Sequence, residues 1–167
     1  MGAGGAITVL GLGNILLQDE GFGVHFVRWF SERNRFDERV AIVDGGTLGY
    51  NLLDTISSSD HVIVIDVIKS DAEPGTLYRF SREEMELAMP GPTSAHEVEF
   101  LDVLHMAELS GSLPGVTFLC IVPESYGEMN LEMTQRMWDA FPLLERLLLK
   151  ELERLGVSGS RTGALDA

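Results

Sequence analysis

The sequence predicts an α/β fold: a single three-layer domain with a mainly parallel five-stranded sheet, one antiparallel strand, and helices on both faces. Three observations lead there. Apolar runs rich in Val and Ile recur along the chain, mostly continuous rather than alternating, as strands covered on both faces read. Helical candidates separate them, the pattern of a parallel sheet with crossover helices. A Gly11-Leu12-Gly13 turn joins the first run to the first helix, and close helix–strand packing needs such a turn.

Each element follows in order. Ala6 to Leu10 forms the first strand, and Gly21 to Arg33 a helix with Val24, Val27 and Phe30 on one face. Val40 to Val43 is the second strand, Leu48 to Ser57 a helix, and His61 to Val67 the third strand. Thr76 to Phe80 comes after a Pro74-Gly75 turn, too soon for a crossover helix, so this strand is expected to be antiparallel. Arg82 to Ala88 and Glu97 to Leu109 are helical, and Val116 to Val122 is the fifth strand. The last helix, Leu131 to Leu155, contains Pro142, which should kink or split it. Residues 1–167 form one domain, with 1–5 a flexible lead-in and 156–167 a frayed tail.

Twelve basic against 26 acidic residues give a formal net charge of −14, which argues against nucleic acid and against an anionic membrane surface. No apolar stretch approaches the roughly 20 residues of a membrane span. Cys120, the single cysteine, lies in an apolar run and cannot form an internal disulfide, which fits a reducing, cytoplasmic setting.

In open α/β sheets ligands bind beyond the carboxyl ends of the strands. Asp19 and Glu20 follow the first strand, Asp44 closes the second in Asp44-Gly45-Gly46-Thr47, Asp66 closes the third, and His96 precedes a helix. Together they make a mixed oxygen and nitrogen ligand set suited to divalent Ni, Zn or Fe. Taken singly, Asp19 or Glu20 reads as a helix cap, Asp44 as a turn former, and His96 as an ordinary first-turn residue. Asp66 is the exception, because a carboxylate among apolar neighbours costs desolvation unless a cation or donors meet it. Thr93 or Ser94 could cap the helix that follows.

A dinucleotide site is the rival reading. The third glycine of G-x-G-x-x-G would stand at position 16, where this chain has Leu16, and two carboxylates occupy the phosphate position. The serine nucleophile elbow and the H-E-x-x-H zinc motif are both absent.

These blocks resemble the maturation endopeptidases of nickel–iron hydrogenases. The resemblance runs through Gly11 to Leu16, Asp19 to Val24, Asp44 to Thr47, Ile65-Asp66-Val67, Pro74-Gly75-Thr76, His96 with Leu101 to Leu104, and Val122 to Ser125. It covers about residues 6–150 in family order. It implies an endopeptidase that removes the C-terminal extension of the hydrogenase large-subunit precursor after nickel insertion. Carried over residue by residue, it implies a metal triad of Glu20, Asp66 and His96, with Asp44 in substrate handling or catalysis. Nickel would be supplied by the substrate, and other divalent metals could occupy the ligands in vitro. Asp66 would also take part in catalysis, and metallo- and aspartic-type mechanisms both stay open. Glu20 rather than Asp at the first ligand favours the uptake-hydrogenase type. The family also implies a monomer. A nickel-sensing chaperone that cuts nothing would need the same residues.

Overall fold

The structure is a computed structural model that describes residues 4–88 and 95–162; the side chains at 88 and 95–98 fall outside that description. Its centre is a five-stranded sheet built from β1 (Ile7–Leu12), β3 (Val40–Gly46), β4 (His61–Val67), β5 (Leu77–Ser81) and β6 (Gly115–Ile121). The spatial order is β3-β1-β4-β6-β5. The first four of these run parallel, and β5 is antiparallel to β6, so the expected fold class is the observed one. Every residue of β1 is buried, and only His61 of β4 is partly exposed, which explains why both read as unbroken apolar runs.

Helices cover both faces. On one side α1 (Phe22–Arg33) and α6 (Phe141–Arg154) bury Phe22, Phe26, Phe30, Leu144 and Leu148 against Ile63, Ile65 and Val67. Phe141 meets Phe22 and Phe26 edge-on, at 5.3 Å and near-perpendicular planes. On the other side α2 (Leu53–Ser57), α3 (Arg82–Ala88) and α4 (Ala95–Leu109) pack Ile56, Met85, Phe100 and Leu104 on Val62 and Val64. Alternation along β4 therefore puts Asp66 on the same face as Val62 and Val64, towards α4.

Glycine sets how closely α1 approaches the sheet. A side chain at Gly23 would overlap the carbonyl oxygens of Leu12 and Ile65, so the helix lies directly across β1 and β4. Gly11 allows the same approach from the strand, since a side chain there would overlap the Gly23 carbonyl oxygen.

Three expectations change. Leu48 to Ser57 is a 3₁₀ turn, Gly49–Leu52, leading into the short α2. The terminal helix is split near Pro142 into α5 (Gln135–Asp139) and α6, as expected, but it starts later, because residues 131–134 are not helical. Pro142 sits in the first turn of α6, where its missing N–H would have had no helical partner. The expected frayed tail is pinned as far as residue 162. Val157 is buried, and β7 (Ser160–Arg161) pairs antiparallel with β2 (Asn34–Arg35). Arg161 also makes an ion pair with the buried Glu145 of α6. Polar composition hid this pairing, because a two-residue strand leaves no periodic signal.

No helix among the described residues is long and apolar enough to cross a membrane.

Candidate functional site at the sheet's switch point

The chain leaves β1 through α1 to reach β3 on one side, then passes through α2 to β4 on the other side of β1. The strand order therefore reverses between β1 and β4, the place where open α/β sheets form a ligand crevice. Gly11 of β1 pairs with Ile65 of β4, and the turn carrying Glu20 packs against the end of β4. Two predicted ligands, Glu20 and Asp66, thus come from the two strands that flank this crevice.

The backbone after β1 explains how Glu20 is presented. Gly13 has φ 144°, and a side chain there would overlap the Glu20 carbonyl oxygen, so the turn folds back onto itself. The Asn14 side chain accepts the Leu16 N–H at 3.0 Å and tightens the bend. Gln18 takes φ 52°, unusual for a residue with a side chain, immediately before a 3₁₀ turn spanning Asp19–Gly21. Glu20 is 5% exposed, and its carboxylate makes no hydrogen bond among the described residues.

Asp19 has a different task from the capping expected of it. The 3₁₀ turn and α1 start without any side-chain cap bond. The Asp19 carboxylate instead accepts N–H bonds from Glu124, Ser125 and Thr134 at 2.8–3.0 Å, plus the Thr134 hydroxyl at 3.0 Å. Four donors compensate the burial of this charge, and the loop between β6 and α5 is tied to the Glu20 turn. Gln18 adds to the tie through the Ser125 hydroxyl at 2.6 Å.

Asp66 is 5% exposed and accepts the Val67 N–H at 2.8 Å. It lines a small cavity with Leu12, Met85, Phe100, Leu101 and Cys120. Position 96 lies in the first turn of α4, one turn before Phe100, so the backbone carries it to this end of the sheet. The His96 side chain lies outside the described residues, as do Thr93 and Ser94 entirely. Among the described residues, no group of three or more His, Cys, Asp or Glu is gathered for a metal ion. Two carboxylates of the expected triad are therefore placed, and they suit an ion that wants oxygen donors plus one nitrogen.

Asp44 stands apart. It lies on the edge strand β3, separated from β4 by β1, which is about 10 Å at two strand spacings. Its Oδ2 accepts both Nε and an Nη of Arg28, at 2.9 and 2.6 Å, in a partly exposed ion pair. The two residues share a groove of about 300 Å³ with Asn14, Leu16, Val24 and Thr47. His25, one turn before Arg28, packs on Trp138, with ring centroids 5.6 Å apart. Burial first and the Arg28 charge second hold the imidazole below its usual pKa, against the opposing pull of Asp44. Sequence reading missed Arg28. Asp44 follows it by 16 residues, and only the α1 register brings the two together.

The fold and this crevice define an α/β protein whose carboxylates converge at the switch point of a parallel sheet. Residues 24–151 match the sequence model of the hydrogenase maturation protease family. The chain is 34% identical to the hydrogenase 2 maturation protease of Escherichia coli K12, across 89% of this chain and 87% of that one. It is 40% identical to the hydrogenase expression/formation protein HoxM of Azotobacter vinelandii, across 90% and 74%. Its structure resembles that of the hydrogenase maturating endopeptidase HybD from E. coli, with a TM-score of 0.89 and 31% identity over 97% of this chain and 99% of that one. This chain belongs to the hydrogenase maturation protease family, and that membership makes it a peptidase.

Proposed function

We propose that this chain is the endopeptidase that removes the C-terminal extension of a nickel–iron hydrogenase large-subunit precursor once nickel has been inserted. One observation carries the nickel part of the reading: Glu20 and Asp66 are both almost completely buried, Glu20 in the turn that follows β1 and Asp66 at the end of β4, the two strands that flank the switch-point crevice. Two carboxylates packed that closely into apolar surroundings favour a cation between them.

The nickel arrives as part of the substrate. Glu20, Asp66 and His96 would contact it, so the enzyme engages only a precursor whose metal is in place. Bound there, the ion supplies electrophilic help at the scissile carbonyl. Hydrolysis adds the oxygen of water to the carbonyl carbon, breaks the C–N bond and delivers a water proton to the leaving nitrogen. Asp44 is the candidate carrier of that proton. Arg28 engages only its Oδ2 and fixes the carboxylate at the crevice rim. With roughly 10 Å between β3 and β4, Asp66 would contact the metal and Asp44 the peptide beside it. We place the reaction in the cytoplasm, with the enzyme acting as a monomer.

Asp66→Ala tests the triad. The variant should fold, and it should process nickel-loaded precursor at least about a hundredfold more slowly than the wild type, as loss of a directly engaged group does. A folded Asp66→Ala protein that processes at the normal rate would sink the assignment.

A further inference from the structure

Beside the crevice lies a groove of about 760 Å³, at the carboxyl ends of β4 and β6. Its floor and walls are Ile68, Tyr78, Phe80, Val122 and Tyr126, with Lys69 at the rim. Tyr78 and Phe80 stack at 5.4 Å and 15°, forming a flat aromatic wall. The Lys69 ammonium stands 4.2 Å from the centre of the Tyr126 ring, which holds the cation in place over the groove.

Two of its walls lead straight to the proposed metal ligands. Ile68, two residues after Asp66, lines both this groove and the cavity that holds Asp66. Tyr126 pairs with Gln18, two residues before Glu20. A chain whose scissile bond lies at Glu20 and Asp66 therefore has this groove as its immediate neighbour.

We propose that this groove holds the peptide on the far side of the scissile bond, the segment to be released, with its apolar side chains on the aromatic wall and a carboxylate at Lys69. The inference rests on the proteolytic reading above. Position selects the occupant, because the groove adjoins the proposed metal ligands through Ile68 and through the Gln18–Tyr126 bridge. Lys69 is one of only two lysines in a chain of net charge −14, and it shares the groove with Ser70 and Asp71. A basic segment would meet a fixed ammonium, and a polyphosphate would find one cation with Asp71 beside it. A short peptide asks for only one cation at its carboxylate and can lay apolar side chains on Tyr78 and Phe80, and the volume lies within the range of peptide-sized and drug-sized sites.

The test titrates a fluorescently labelled synthetic peptide, with the sequence of the precursor's C-terminal extension, into the full-length protein. Lys69 is exposed, so Lys69→Glu and Lys69→Arg should both fold, which thermal unfolding checks. The wild type should bind the peptide, Lys69→Glu about tenfold more weakly, and Lys69→Arg like the wild type. A C-terminally amidated peptide that loses the Lys69-dependent increment assigns the contact to the terminal carboxylate. Retention of the increment assigns it to a side-chain carboxylate, and either result supports the groove. Equal binding by Lys69→Glu and the wild type, or no binding by a protein that cleaves precursor, overturns the proposal and leaves the protease standing. Lys69-dependent binding by a protein that cleaves no precursor would keep the groove and remove the activity.

Discussion

Asp19 and Glu20 are adjacent in sequence and opposite in circumstance. Asp19 has four donors from a loop more than a hundred residues away, whereas the Glu20 carboxylate has none among the described residues. Substitution should separate them. Asp19→Ala leaves three partly buried N–H groups without their acceptor and should cost roughly 1–3 kcal/mol, read as a lower urea midpoint. Glu20→Gln keeps the shape of the side chain and should leave stability within about 0.5 kcal/mol of the wild type while slowing precursor processing. Equal stability losses in the two variants would show that Glu20 is a structural carboxylate like its neighbour. Arg28→Ala should leave the fold intact, because the pair is largely exposed, yet slow processing by freeing Asp44 from its fixed position. Normal kinetics in Arg28→Ala would remove Asp44 from the reaction.

At the scale of elements, α1 governs the site because it lies across both strands of the switch point. Gly23→Ala should push the helix off the carbonyls of Leu12 and Ile65, costing about 1–3 kcal/mol and disturbing the Glu20 turn as well. An unchanged Tm with full activity would show that the contact relaxes freely. The strands and most helices were legible in the sequence because continuous Val- and Ile-rich runs leave little choice when both faces are covered. What stayed hidden was long-range. Asp19 reads as a local cap because its real partners stand 105 to 115 positions away. The β2–β7 pair was invisible because two residues show no period. That Glu20 follows the first strand and Asp66 closes the third was readable, but that β1 and β4 are neighbours needed the strand order.

For the whole molecule, pH and the C-terminal segment offer two further checks. His25 and His61 are both held below the usual imidazole range, chiefly by burial. A depressed histidine pKa means that the unfolded chain binds more protons between the folded pKa and the ordinary imidazole value of 6.5. Stability should therefore be full above that value and fall as the pH drops below it, levelling off once both states are protonated. Flat urea midpoints between neutral pH and pH 5, after correction for carboxylates, would contradict this. The segment after Leu155 closes the fold through Val157 and the Arg161–Glu145 ion pair. Removing residues 156–167 should cost about 3 kcal/mol, roughly 10 °C in Tm, because Glu145 is left buried without its cation. Glu20, Asp66 and His96 all lie outside that segment, so processing at low temperature should persist.

The most direct measurement is the mass of a purified hydrogenase large-subunit precursor before and after incubation with this protein, with and without nickel in the precursor. A nickel-dependent protease should release a C-terminal peptide from the loaded precursor and leave the nickel-free one intact. An unchanged mass for the loaded precursor, under conditions where the two proteins form a complex, would contradict the account and identify an assembly chaperone instead.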